Sequence, residues 1–278
     1  MPVFFGRDLS RFSDFISAWY GDSTLLRTPS KSPIKILYPL DYLPTPNAEQ
    51  TSLIDKFVEG LESSLGVSRT EISLAELWKQ DLPDGSEHSD IVEYLHLAGG
   101  YPYYRDSYYD LAGFRDEYQQ KYGKPPFVHY AMRWQWSISK TISLADRNKY
   151  WRRSETYRKW LLERVFDAES KTVVTIMVFP IEVGKPNYRE AELPPLAILP
   201  GSASLNMSPM MRAPELTAPV GDIPYDSWIT QRQEPLPIAV SVIGAPGTDL
   251  ILADLVSKGL KGAGLPTQVK TGRRVFGE

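Results

Sequence analysis

Residues 173–180 read VVTIMVFP, one of the longest apolar runs in the chain. The run is too short for a buried helix and is rich in β-branched side chains, which predicts a β-strand that is buried on both faces. Three further short stretches predict strands, at residues 35–38, 216–220 and 238–243. Because a strand buried on both faces needs helices above and below it, these stretches indicate an α/β fold.

The segments between the predicted strands have the three- and four-residue apolar spacing of amphipathic helices. Thr45 and Pro46 predict the cap and the first residue of a helix that ends at Gly66. Thr248 predicts the cap of the last helix. Strands separated by long helical insertions favour one mixed central sheet covered by helices. We therefore expect a single α/β domain over residues 1–278.

Composition excludes several classes of protein. The chain has 278 residues, a formal charge of −3 and no cysteine, which excludes a disulfide scaffold, a thiolate metal site and a cysteine nucleophile. The slightly acidic balance gives no electrostatic reason for binding nucleic acid, and no apolar run approaches the roughly 18 residues of a membrane helix. We expect a cytoplasmic protein that binds neither nucleic acid nor membrane.

The sequence gives little support for a metal site or a phosphate-binding site. His88, His96 and His129 give no pair with the close helical spacing of a zinc site, so we expect no metal and no cofactor. Residues 243–249 (IGAPGTD) join a predicted strand to a predicted helix, where free amides attract anions. The stretch lacks the known phosphate-binding patterns, and Asp249 would repel a phosphate. An ordinary capped connection is therefore favoured.

Three short motifs occur in the order used by penicillin-binding proteins and serine β-lactamases. They are residues 137–140 (SISK), 204–206 (SLN) and 270–272 (KTG). The first would place a lysine one helical turn from the serine that it deprotonates. That architecture needs more sheet and a closing helix after the last motif, but six residues follow it here, and the middle motif lies in a proline-rich loop. We therefore reject a serine acyl enzyme, and no complete catalytic set is apparent.

Two late segments resemble the amidase-signature family. Residues 208–221 (SPMMRAPELTAPVG) are similar to a family loop that enters a strand ending in Pro-Val-Gly, and residues 236–250 (LPIAVSVIGAPGTDL) are similar to the next strand, loop and helix. Residues 4–9 (FFGRDL) resemble the helix after the catalytic half in fungal amidase-like proteins, which often accompany secondary-metabolism genes. The resemblance runs from Phe4 to Arg274 and implies the C-terminal part of an amidase-signature fold.

The resemblance also implies an enzymatic activity, and it implies that the catalytic residues for that activity are missing from this sequence. The family hydrolyses amide bonds with a lysine, a serine in a cis peptide and a nucleophilic serine, next to a glycine- and serine-rich signature. No such signature occurs here, because Ser63 and Ser64 lack flanking glycines. We therefore expect a truncated amidase-family protein whose N-terminal catalytic half is absent. No catalytic residue is assigned, and a small amide is the expected substrate only if such a half completes the domain.

Four residues before the Pro-Val-Gly strand are candidates for a wall of the substrate pocket that the resemblance implies. They are Met207, Ser208, Pro209 and Arg212. A loop that merely covers the sheet is an equally good interpretation of this stretch.

A half-sheet would expose an edge strand and an apolar face. We therefore expect the chain to self-associate through the sheet edge or to bind a complementary N-terminal half. Whether the chain is itself an enzyme stays open. The alternative function is that of a non-catalytic pseudo-enzyme, acting as a partner or scaffold through the aromatic-rich residues 94–160.

Overall fold

The computed structural model describes residues 3–28, 32–83, 86, 88–170, 172–191, 195–272 and 276. Arg274, where the family resemblance ends, lies outside them. The chain divides into two compact units. Unit 1 comprises Met1–Leu77, Trp160–Ala191 and Met211–Glu278, and unit 2 comprises Trp78–Lys159 and Glu192–Met210. The prediction of a single amidase-type domain over residues 1–278 stays a prediction.

Unit 1 is built on a mixed sheet, as predicted. In the described part of the chain the sheet has five strands: β1 (Ile34–Pro39), β2 (Thr70–Ile72), β3 (Val174–Pro180), β4 (Glu215–Ser227) and β5 (Arg232–Gly244). Their order is β2-β1-β3-β5-β4. Strand β1 runs parallel to β2 and β3, and β5 runs antiparallel to β3 and β4. Every residue of β3 is buried, which confirms the strand predicted from the apolar run.

Strands β4 and β5 extend well beyond the predicted stretches and form a long hairpin. Their pairing shifts by one residue between Pro219 and Gly221, which is the mark of a β-bulge. Strand β4 lies at the edge of the sheet, where Pro219 and Pro224 are tolerated because an edge strand needs fewer backbone donors. Self-association through the sheet edge stays a prediction.

Ten α-helices lie in the described residues. They are α1 (Phe12–Tyr20), α2 (Ala48–Leu65), α3 (Leu74–Gln80), α4 (Ile91–Leu95), α5 (Tyr101–Asp110), α6 (Ala112–Tyr122), α7 (Tyr130–Ser139), α8 (Leu144–Trp160), α9 (Met207–Met211) and α10 (Asp249–Gly262). Short 3₁₀ turns cover Leu9–Arg11 and Ser204–Asn206, and a π-helical turn, Leu161–Val165, follows α8. Within the described residues, no helix has both the length and the apolar character needed to cross a bilayer.

Helices α1, α2 and α10 cover one face of the sheet. The core there joins side chains of β1, β3 and β5, such as Ile36, Val178 and Val240, to Phe57 on α2 and Val256 on α10. Burial of these apolar side chains is the main favourable contribution to the stability of unit 1.

Helix α2 begins later than predicted. Its N-cap is Asn47, whose side-chain oxygen accepts the amides of Glu49 and Gln50 at 3.0 and 3.1 Å. The hydroxyl of Thr45, the predicted cap, instead donates to the carbonyl of Asn47 at 2.8 Å. The prediction of Thr45 and Pro46 as cap and first helical residue is therefore wrong. Asparagine satisfies two orphan amides, which favours the later start.

Candidate functional site

The predicted wall residues fall in both units. Met207, Ser208 and Pro209 belong to unit 2, where α9 buries Met207 and Ser208 and leaves Pro209 exposed. The hydroxyl of Tyr157 donates to the sulfur of Met207 at 3.8 Å. Arg212 belongs to unit 1, is exposed, and has a left-handed backbone with φ 53°. Their role as a substrate-pocket wall stays a prediction.

The Ser-x-x-Lys motif does not form a nucleophile–base pair. The hydroxyl of Ser137 donates to the carbonyl of Trp134 at 2.7 Å. The buried hydroxyl of Ser139 lies 2.8 Å from the carbonyl of Tyr104 and 2.7 Å from that of Gln135. A hydroxyl that donates its proton to a backbone carbonyl has no base to remove it. This geometry agrees with the rejection of a serine acyl enzyme.

The loop at residues 243–249 is a packed connection. The hydroxyl of Thr248 donates to the carbonyl of Ala245 at 2.7 Å, and the amide of Arg27 donates to the carbonyl of Gly247 at 2.7 Å. A side chain at Gly247 would clash with the carbonyl oxygen of Leu25, so the neighbouring segment lies directly against the loop. Thr248 occupies the N-cap position of α10, as predicted, but its side chain accepts no helix amide, so the loop is an ordinary connection without a side-chain cap.

Unit 1 carries a polar network beside an open groove. The guanidinium of Arg69 lies 2.9 Å from carboxylate oxygens of both Asp55 and Glu62, and the hydroxyl of Tyr38 donates to Asp55 at 2.9 Å. Hydrogen bonding to Arg69 lowers the pKa of Glu62. Burial is the main cause that raises the pKa of Tyr38 to about 12, and the hydrogen bond to Asp55 is the second cause. These contacts tie β1 and the chain leading to β2 onto α2.

The groove next to this network has a volume of about 780 Å³. Its lining is Pro44, Thr45, Ala48, Thr51, Ser52, Asp55, Lys56 and Glu59. The ionisable groups there are two carboxylates and one ammonium, and the groove is open to solvent. No nucleophile with a partner base is apparent among these side chains. We assign it no catalytic role.

Unit 2 holds a second groove, of about 470 Å³, between the α4 segment and α8. It is lined by His88, Asp90, Val92, Glu93, His96, Lys149, Tyr150 and Arg153. The groove brings together His88 and His96, two of the three histidines of the chain. In the described residues no group of three or more histidine, aspartate or glutamate side chains is placed to hold a metal ion.

No family model matches the chain, but solved structures are similar to it. Allophanate hydrolase from Kluyveromyces lactis matches 86% of the chain with a TM-score of 0.55 and 16% identity. A 6-aminohexanoate cyclic dimer hydrolase, complexed with substrate, matches 86% with a TM-score of 0.53 and 14% identity. An amidase matches 94% with a TM-score of 0.54 and 16% identity.

The chain shares the fold of these hydrolases. It covers 33%, 46% and 52% of the three matched chains, so it spans about a third to a half of their length. This similarity confirms the mixed α/β sheet covered by helices. Both the strand pattern and the amidase-signature resemblance implied that fold. Identities this low describe the fold and assign no functional residue.

Proposed function

We propose that the protein takes part in hydrolysis of the C–N bond of a small amide, as the supporting part of an amidase-type domain. The observation that carries this proposal is the shared fold with three hydrolases, one of which is named an amidase. The segments at 208–221 and 236–250, which resemble the amidase-signature family, include the first part of β4, most of β5 and the start of α10. The resemblance and the fold therefore support the proposal through the same elements.

The catalytic lysine and serines are proposed to come from polypeptide outside this sequence. The motif serine Ser137 and its neighbour Ser139 donate to backbone carbonyls, and the candidate wall residue Ser208 is buried. We therefore assign no catalytic residue to the chain. On this proposal, its contribution is a rigid sheet with covering helices, which holds substrate-binding loops in place.

A finer proposal concerns the source of the substrate. Residues 4–9 resemble fungal amidase-like proteins of secondary metabolism, and the structure places Phe4 against Phe12 and Phe15 at ring distances of 5.0 and 4.3 Å. This aromatic packing is consistent with a role for the segment in the fold. We propose that the substrate is an amide formed in fungal secondary metabolism.

Two measurements on the same protein test the proposal. Sequencing of the full-length transcript shows whether a glycine- and serine-rich signature is encoded in frame before Met1. Purified residues 1–278 and the longer product are then assayed for amine or ammonia release from a panel of small amides. We expect turnover from the longer product and none from residues 1–278.

The outcomes separate the proposed function from its alternative. Turnover by residues 1–278 alone would contradict the assignment of no catalytic residue, and Ser137→Ala and Ser139→Ala variants would then show whether either serine is the nucleophile. A full-length product that contains the signature but hydrolyses no amide would overturn the proposal. A full-length product that lacks the signature and shows no turnover would favour the non-catalytic partner or scaffold.

A further inference from the structure

Helix α6 of unit 2 is an 11-residue helix that buries none of its own side chains. Ala112, Arg115 and Tyr118 are half-buried, and the other residues of the helix are exposed. Helices shorter than about 12–15 residues are marginal in water, and their stability in proteins comes mainly from packing of an apolar face. The packing that α6 finds within its own chain is therefore small for a helix of this length.

Arg115 holds one side of α6 against α5 and α7. Its Nη1 donates to the carbonyl of Tyr108 at 2.6 Å, and its guanidinium lies 3.9 and 4.9 Å from the ring centroids of Tyr108 and Trp136. At 3.6 residues per turn, Glu117 and Lys121 lie on the side of the helix that faces away from Arg115. The surface between these two sides is left for another contact.

An apolar stripe occupies that surface. Its members are spaced three and four residues apart and so share one face of the helix: Leu111, Phe114, Tyr118 and Tyr122. The ring of Tyr118 lies 6.0 Å from that of Phe114 and 4.6 Å from that of Tyr122, measured between centroids. Phe114 and Tyr122 are 53% and 52% exposed. Contiguous apolar side chains with this exposure are typical of protein–protein contact sites.

The charges beside the stripe differ between the two ends of α6. Asp116 and Glu117 carry negative charge in its first half, and Lys121 and Lys124 carry positive charge at its C-terminal end. All four side chains are exposed. A parallel copy of the helix would bring like charges together, whereas an antiparallel copy brings opposite charges together. The charge pattern is therefore complementary to an antiparallel copy of itself.

From the stripe and the charge pattern we propose that α6 is a dimerisation surface, which binds the α6 of a second copy of this chain in antiparallel orientation about a two-fold axis. Superposition of the two stripes places Tyr118 opposite the partner's Tyr118 and Phe114 opposite the partner's Tyr122, so the aromatic side chains bury one another. Glu117 then lies close to the level of the partner's Lys121. The proposal does not depend on amide hydrolysis, because association is measured without a substrate.

Sedimentation equilibrium of the purified chain, at concentrations from about 5 to 500 µM, tests the association. A helix of 11 residues offers less surface than the roughly 800 Å² per partner of a standard interface, so we expect a Kd on the order of 10–100 µM. The double variant Phe114→Ser/Tyr122→Ser should weaken dimerisation at least about tenfold. Tyr103→Ser is the matched control, because Tyr103 is 60% exposed on α5 outside the stripe, and it should change Kd by less than about twofold.

Charge exchange tests the orientation of the two helices. Glu117→Lys alone, or Lys121→Glu alone, places like charges opposite each other and should weaken dimerisation about three- to tenfold. The double variant Glu117→Lys/Lys121→Glu restores opposite charges across the two-fold axis, so its Kd should return to within about twofold of the wild type. Failure of the double variant to recover affinity would overturn the antiparallel arrangement.

Cysteine variants report the register, because the chain has no cysteine of its own. At about 200 µM under mild oxidation, Tyr118→Cys should form a disulfide-linked dimer. Tyr122→Cys should not, since the two copies of this residue would be separated by about 12 Å along the helix axis alone, beyond the roughly 7 Å limit of a disulfide. Cross-linking of Tyr122→Cys in place of Tyr118→Cys would overturn the proposed register.

Two further outcomes would overturn the dimerisation surface itself. One is a wild-type chain that stays monomeric up to about 500 µM. The other is a dimer that Phe114→Ser/Tyr122→Ser leaves intact, because the contact would then lie elsewhere, as at the edge strand β4. Circular dichroism shows whether that double variant keeps its helical content, and the cross-linking of the single cysteine variants decides the question if it does not.

Discussion

The crossing of α2 and α10 gives the most direct test of the packing in unit 1. A Cβ added at Gly60 would lie 2.5 Å from the backbone nitrogen of Ala263 and 2.5 Å from the carbonyl oxygen of Gly259. Both contacts are backbone atoms of the partner helix, so neither can rotate away. To accept the methyl group of Gly60→Ala, the two helices must separate by about 1 Å.

The size of the effect follows from two opposing contributions. Overpacking costs about 1–3 kcal/mol, and replacing glycine by alanine inside a helix recovers up to about 1 kcal/mol. We therefore expect Gly60→Ala to lower the free energy of unfolding by about 1–2 kcal/mol and to lower Tm by about 3–6 °C. Urea denaturation followed by circular dichroism and tryptophan fluorescence measures both the loss and its cooperativity.

Two matched variants separate packing from helix propensity. Gly113 on α6 has no atom within 4 Å of an added Cβ, so Gly113→Ala should be neutral or stabilising by up to about 1 kcal/mol. At Gly259 the nearest atoms are side-chain carbons of Leu61 and Phe57, at 2.7 and 2.8 Å, so Gly259→Ala should cost less than Gly60→Ala. A Gly60→Ala protein as stable as the wild type would refute the backbone-to-backbone packing of α2 and α10.

Three further variants test the polar contacts of unit 1. Asn47→Ala removes the cap of α2 and should lower the free energy of unfolding by about 1 kcal/mol in urea denaturation. Glu62→Gln weakens the contacts to Arg69 and should cost about 1 kcal/mol at pH 7; because the pKa of Glu62 is lowered, this cost should fade as the pH drops through that lowered value. For Tyr38, whose pKa is raised to about 12, the stabilisation is present below pH 10 and is lost as the pH rises through about 12, so Tyr38→Phe should be less sensitive to alkaline unfolding than the wild type.

Each of these variants has a control in the same chain. Asn47→Asp keeps an acceptor for the first turn but loses the N–H donor to the carbonyl of Gly184, so it should recover only part of the lost stability. Glu59→Gln removes an exposed carboxylate from the same helix as Glu62 and should change the free energy of unfolding by less than about 0.5 kcal/mol at pH 7. Tyr122→Phe changes a half-exposed tyrosine and should alter the free energy of unfolding at pH 7 by less than about 0.5 kcal/mol. If any control matched its test variant, the corresponding contact would contribute nothing measurable.

The strands were predictable to the extent that burial determined their composition. Strand β3 is buried throughout, and only apolar or β-branched side chains fit such a position, so the run at 173–180 was sufficient. Strands β4 and β5 were predicted at less than half their length. Pro219, Gly221 and Pro224 interrupt the pattern, and their tolerance depends on the edge position of β4, which a single stretch of sequence does not show.

The start of α2 depended on a distant contact. Thr45 and Asn47 are both acceptable caps by composition, and Pro46 between them favoured the earlier one. The side-chain nitrogen of Asn47 donates to the carbonyl of Gly184 at 2.7 Å, so its carboxamide serves both the helix and a loop far along the chain. A local pattern contains no information on that second partner.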